Sequence, residues 1–284
     1  MFDPKTDKFP YTAKTNGHYL KIKKDCGIVF DADYPYIDSS KGFRFVDFLM
    51  RVLLRCAVLP ATVVRLGLRT KGRENIKKLK NNAVVSCCNH VHMWDYLAIL
   101  NAIRPRKSRI LTWKDNINGE IGSLIRHVGG IPIPEGSVSA TRAYTRAING
   151  LLANNGWLHV YAEGSMWEYY APIRPFSSGA AYFACKNNVP LLPMAFSYRK
   201  PGWIRKKIFV QAARFTLNIG TPLYRDENLP FKEQVDDLVI RSHAAVCVLA
   251  GINPDENIYP PVFTDNDRID YYTDTYGVGY KGSW

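Results

Sequence analysis

The sequence predicts an α/β fold: a mainly parallel, mixed sheet with helices on both faces, preceded by an amphipathic helical segment suited to anchoring at a membrane. Three observations carry that expectation. From residue 83 onward, short apolar runs alternate with segments of helical period, as parallel strands and crossover helices do. The run at 83–88 is almost wholly apolar, as a strand buried on both faces is. Before residue 70 the pattern changes to apolar and basic residues at helical spacing.

Residues 1–40 carry many Lys, Asp, Tyr and Pro without clear period and are expected to form an extended lead-in, with candidate short strands at 20–24 and 27–30. Residues 41–70 form the next unit. Phe45, Phe48, Leu49, Val52, Leu53 and Cys56 are apolar, whereas Arg44, Asp47, Arg51 and Arg55 fall on one stripe, with Asp47 and Arg51 spaced to pair. Pro60 then interrupts, and a second apolar run continues through Val63, Val64, Leu66 and Leu68. A spanning helix needs about 20 nearly uncharged residues. The arginines here favour two helices lying in the membrane interface; a core helix packed on the domain is the plainer alternative.

A short helix and loop is expected at 74–82. Strands follow at 83–88, 108–113, 130–133, 157–162, 190–197 and 208–219, and helices at 95–103, 117–127, 139–153, 178–186 and 231–250. Together they define an α/β domain over 71–252, with an acidic, Tyr-rich tail over 253–284.

A net charge of +13 and an isoelectric point of about 9.4 favour anionic partners, among them an acidic lipid surface or an acidic protein. No helix-turn-helix, RNA-recognition or zinc-finger pattern appears, so nucleic acid is not an expected partner. The six cysteines include no CxxC pair, and the polar first ten residues do not resemble a secretion signal. The expected setting is therefore reducing, at the cytoplasmic face of a membrane, peripheral or monotopic.

The sharpest feature is Asn89-His90-Val91-His92-Met93-Trp94-Asp95, which follows a strand and opens a helix. Ligands of open α/β sheets bind at the carboxyl ends of strands. On one regular helix His90 and Asp95 would point about 140° apart. They meet only if His90 lies in the loop and Asp95 in the first helical turn, where the carboxylate orients one imidazole nitrogen and leaves the other to take a proton. Three further stretches accompany it: Gly129-Gly130-Ile131-Pro132-Ile133, then Glu163-Gly164-Ser165 after the strand at 157–162, then Val189-Pro190-Leu191-Leu192-Pro193. Arg174 lies in the segment leading to the helix at 178–186. Taken singly, each has a plain explanation as a cap, a turn or an edge strand.

In this order the four stretches resemble the blocks of the glycerolipid acyltransferases, which include the 1-acylglycerol-3-phosphate and glycerol-3-phosphate acyltransferases; the resemblance covers about residues 66–220. His90 to Asp95 resembles the H-x4-D block and Glu163-Gly164-Ser165 the E-G-T/S block; the other two blocks are less specific. The resemblance implies an O-acyltransferase without an acyl-enzyme or metal. His90, oriented by Asp95, would deprotonate a lysolipid hydroxyl, most simply that of 1-acyl-sn-glycerol-3-phosphate, giving phosphatidic acid. The alkoxide would attack acyl-CoA or acyl-ACP, which are co-substrates rather than cofactors. Asn89, Glu163, Gly164, Ser165 and Arg174 would surround the substrates, with Asn89 and loop amides as candidate oxyanion donors. The amphipathic segment resembles the helical anchor of such enzymes.

Two departures stand out. The family's second block usually ends in an arginine, and here Pro134 and Glu135 follow Ile133. Its third block usually carries an arginine after E-G-T, and here Met166 follows Ser165. Those arginines are associated with the acceptor's phosphate. Either Arg126, Arg142, Arg146 or Arg174 substitutes, or the acceptor is phosphate-free, such as a lyso-glycolipid. A metal-dependent hydrolase using His90 and His92 is the remote rival, because Trp94 and Asp95 occupy the last two places of H-x-H-x-D-H.

Overall fold

The computed structural model describes residues 25–166, 173–204 and 213–257. Among these, seven strands form one sheet: β1 (Arg69–Lys71), β2 (Val84–Cys88), β3 (Arg109–Trp113), β4 (Gly130–Ile133), β5 (Trp157–Tyr161), β6 (Leu191–Arg199) and β7 (Arg214–Ile219). Their spatial order is β1-β7-β6-β2-β5-β3-β4, parallel throughout except for β6 against β7. The expected strands from 83 to 197 all form, within two residues of their predicted ends. That at 208–219 is described only from residue 213 on.

The helices are α1 (Lys41–Leu53), α2 (Leu59–Leu66), α3 (Arg73–Lys78), α4 (Asp95–Ala102), α5 (Lys114–Asn118), α6 (Gly122–Val128), α7 (Val138–Ala153), α8 (Gly179–Lys186), α9 (Phe231–Ala250) and α10 (Pro254–Asn257). Side chains alternate across the sheet and build two cores. Val84 and Cys88 join Leu59, Leu66, Ala98 and Ile99 of α2 and α4 on one face. Val85 and Cys87 join Tyr144, Phe183 and Leu238 of α7, α8 and α9 on the other.

Four expectations change. Residues 27–30 form no strand. The helix expected at 117–127 is broken around Gly119 into α5 and α6, and β1 adds an unforeseen parallel edge to β7. Pro60 does not interrupt its helix. It falls in the first turn of α2, and the wide π turn Leu54–Val58 just before it, which keeps the chain helical from α1, accommodates the missing N–H. The candidate strand at 20–24 and nearly all of the tail lie outside the described residues.

The middle of the charged stripe turns inward, while Arg44 and Arg55 stay exposed. Asp47 and Arg51 are buried and paired at 2.7 Å, and Arg55 donates to the carbonyl of Pro105 at 2.7 Å. Phe45, Phe48, Leu49, Val52 and Leu53 face outward, each 46–63 % exposed. An ordinary surface helix does the reverse. No described helix is long and apolar enough to cross a membrane.

Candidate active site

The chain leaves β2 at Cys88 and enters α4 at Asp95, so the loop between them lies at the carboxyl edge of the sheet. His90 Nδ1 stands 2.8 Å from Asp95 Oδ2. His90 is in the loop and Asp95 in the first turn of α4, as their spacing required. The same carboxylate oxygen accepts the amides of Val91 at 3.1 Å and His92 at 3.3 Å, and Oδ1 accepts the hydroxyl of Tyr161. Burial alone would raise the Asp95 carboxyl. His90, the Tyr161 hydroxyl and the Val91 amide outweigh it and hold the group below the usual carboxylate range. A carboxylate at a helix N-terminus gains further from the helix dipole. The His90 side chain is 22 % exposed, and among the described residues its Nε2 has no hydrogen-bond partner.

A second carboxylate braces the loop from behind. Cys88 pairs with Tyr161, so His90 and Glu163 each lie two residues past paired strands. Glu163 Oε2 accepts the His90 amide at 2.9 Å, and Oε1 accepts the Arg174 amide at 2.8 Å. The Arg174 guanidinium returns to Glu163 Oε2 at 3.1 Å and donates to Ser165 Oγ at 2.9 Å and to the Ser165 carbonyl. Glu163 is 3 % exposed and Arg174 0 %. Gly164 makes the turn between them at φ +79°, which favours glycine.

Beneath the loop runs a hydrogen-bond chain that one choice of tautomer satisfies throughout. Trp157 Nε1 donates to Ser86 Oγ (2.7 Å), and Ser86 to His159 Nδ1 (2.9 Å). His159 Nε2 then donates to Cys88 Sγ (3.5 Å), and the thiol to the Asn89 carbonyl (3.0 Å). Burial pushes His159 down to about 3 and Cys88 well up, so the imidazole and thiol are both neutral, as the chain requires.

The geometry thus gathers His90, Asp95, Glu163, Ser165 and Arg174 into one network and leaves the Asn89 side chain outside it, dividing their work differently from the sequence. Asn89 is buried, and Phe196 uses both ends of its amide, accepting at 3.1 Å and donating at 2.8 Å. The amides of His90, Val91 and His92 all point at carboxylates. Neither Asn89 nor these amides are therefore placed as oxyanion donors. Glu163, Ser165 and Arg174 face one another in the interior and brace the loop. Arg174 is not a free phosphate ligand.

The other proposed substitutes also lie elsewhere. Arg126 binds the Pro35 carbonyl at 2.8 Å and Asp38 at 3.6 Å, while Arg142 and Arg146 line a groove with Tyr182 and Lys186 on the outside of α7 and α8. At the carboxyl ends of β3 and β4, Lys114 pairs with Glu135 at 2.8 Å. His92 is buried, accepts the Trp94 amide at 3.1 Å and is pushed down to about 4 by burial, so its ring faces the core. The residue that sequence reasoning missed is Tyr161, whose ring lies flat on that of His90, centroids 3.7 Å apart and planes within 5°. An aromatic residue in a buried strand gave no signal of it.

Comparison with known proteins bears on this arrangement. Residues 67–197, which contain the His90–Asp95 pair and the Glu163 brace, match the family model described as Acyltransferase. This part of the chain is similar to the acyltransferases. The chain is 24 % identical over 155 residues to human 1-acyl-sn-glycerol-3-phosphate acyltransferase beta, covering 54 % of this chain. The match takes in 55 % of the human protein, so the chain spans about half the length of that curated relative. The crystal structure of the 1-acyl-sn-glycerophosphate (LPA) acyltransferase PlsC from Thermotoga maritima is also similar: TM-score 0.46 and 20 % identity, covering 73 % of this chain and 82 % of that one.

Proposed function

We propose that this protein transfers a fatty acyl group from a thioester carrier, coenzyme A or acyl carrier protein, to the hydroxyl of a lysolipid at a membrane surface. The observation that carries the reading is the His90–Asp95 pair: one imidazole nitrogen held by a buried carboxylate, the other open at the strand edge. Nε2 takes the acceptor's hydroxyl proton as its oxygen attacks the thioester carbonyl. The tetrahedral intermediate then expels the thiolate as the C–S bond breaks. The imidazolium returns the proton to sulfur, giving an ester and a free thiol. His90 ends as it began, and no covalent enzyme intermediate is needed.

The first acceptor to test is 1-acyl-sn-glycerol-3-phosphate, the substrate class named for the human relative. A phosphate-free acceptor is the second, and specific observations favour it. Glu135 neutralises Lys114, and Arg174 is buried in its own ion pair. A labelled acyl thioester, supplied on either carrier, offered to both acceptors, with His90→Ala as control, decides between them. Absence of transfer to every lysolipid would reject the reading.

The outward apolar face of α1 supports peripheral membrane attachment by this helix. Burying one such Phe is worth about 1.5–3 kcal/mol. Phe48→Asp is therefore expected to reduce vesicle binding at least tenfold without lowering Tm. Unchanged binding would remove α1 from the contact.

A further inference from the structure

We propose that Tyr161 is a positioning residue that sets the working pH of the His90–Asp95 pair, by donating a hydrogen bond to the carboxylate while its ring backs the imidazole. This rests on the reading of His90 as the base.

Two contacts join Tyr161 to the pair. Its hydroxyl binds Asp95 Oδ1, the oxygen that His90 does not use, and its ring stacks on His90 at 3.7 Å. The direction of the hydrogen bond is settled by the environment. Burial, with the Asp95 charge beside it, raises the phenol well above its ordinary value, so it remains O–H. Asp95 is held ionised, so it accepts. Tyr161 is fixed in β5 by its pairing with Cys88 and is 9 % exposed.

The two contacts act on the imidazole in opposite senses. A carboxylate that receives the phenol hydrogen bond has less charge to share with His90 Nδ1–H, which makes Nε2 a weaker base. The π face behind the ring favours the imidazolium that forms as Nε2 takes its proton. The other groups around the pair contribute little charge. His92 in the same loop and His159 on β5 are pushed down by burial to about 4 and 3, and Cys88 on β2 is pushed up, so all three are neutral. Glu163 is neutralised by Arg174, and Arg65 of α2 acts from beyond His92. Tyr161 is thus the adjustable partner of Asp95.

The test separates hydroxyl from ring. Tyr161→Phe keeps the stack and deletes the donor. Asp95 then pulls harder on the imidazole, so the acidic limb of the kcat/KM profile is expected to move to higher pH by roughly half a unit or more, the scale of one hydrogen bond to a buried charge. A purely structural role would scale the rate and leave the limb where it was. Tyr161→Leu should lower the plateau rate as well, by removing the stack. The same shift is to be read without substrate, from the titration of the ¹⁵N-labelled His90 ring in both proteins. If that titration moves but no lysolipid is acylated, the acyltransferase reading fails and the coupling stands. An unmoved titration in a folded Tyr161→Phe protein overturns the proposal, whether or not transfer occurs.

Discussion

Asp95 and Glu163 are two buried carboxylates within reach of the same residue, and they do opposite things. Asp95 holds the His90 side chain and Glu163 holds its backbone amide. Asp95 gathers amides of its own loop and Glu163 one amide from each of two loops, and each has a basic partner. The partner of Asp95 is 22 % exposed, with one nitrogen open; the partner of Glu163 is 0 % exposed and bonded back to Ser165. A buried ion pair closed on all sides can hold a loop, but it offers no atom to a substrate. The pair with one open atom is where a proton can be moved.

If this division is right, breaking the two pairs should give different kinds of loss. His90→Ala is expected to have the largest effect, a fall in kcat of at least 10²–10⁴-fold, the usual contribution of a positioned general base. Its Tm should change little, because the side chain is partly exposed. Asp95→Asn should lower kcat by about 10²-fold or more while KM stays nearly constant, since the amide no longer fixes the imidazole's tautomer or stabilises its charged form. A rise in KM alone would give Asp95 a binding role and collapse the contrast with Glu163.

Arg174→Met should act on stability first. It strands the Glu163 carboxylate in the interior, and such breakage costs about 3–5 kcal/mol. The expected result is a Tm lower by several degrees, with activity recovering on cooling in the fraction that stays folded. Adding Glu163→Gln should restore part of the loss, because the unpaired charge is gone. A Tm unchanged in Arg174→Met, with a large rise in acceptor KM, would return Arg174 to the substrate.

The sequence shows unequal parts of this. The strand and helix alternation after residue 83 was legible because parallel strands buried on both faces leave an apolar signature. Helical angles gave the condition under which His90 and Asp95 could meet, a loop position and a first-turn position, and the structure meets it. The roles of Asn89, Glu163 and Arg174 were not legible, because they depend on contacts such as Asn89 with Phe196, 107 residues away. Tyr161 meets Asp95 across 66 residues for the same reason. In α1 the spacing identified a charged stripe and an apolar one, but periodicity does not say which faces the protein. The burial of Asp47 and Arg51 decides that.

Acid should give the smallest effect, and it tests the layer on which both carboxylates rest. His92 and His159 have ordinary values near 6.5 in the unfolded chain, and burial lowers them to about 4 and 3 in the folded one. Between those limits the unfolded state binds more protons, so stability is present at neutral pH and falls as pH drops below about 6.5. Two such histidines predict a loss of roughly 1–1.5 kcal/mol in unfolding free energy from pH 7 to pH 6, measurable by urea denaturation at each pH. Asp95, with its lowered value, keeps its contribution through this window and loses it only at more acid pH, so its titration does not overlap. Replacing His159 with Gln should flatten the slope by the share of one buried histidine. A slope unaffected by that change would mean that His159 titrates normally in the folded protein, and the neutral hydrogen-bond chain under Asn89 would have to be redrawn with a charge in it.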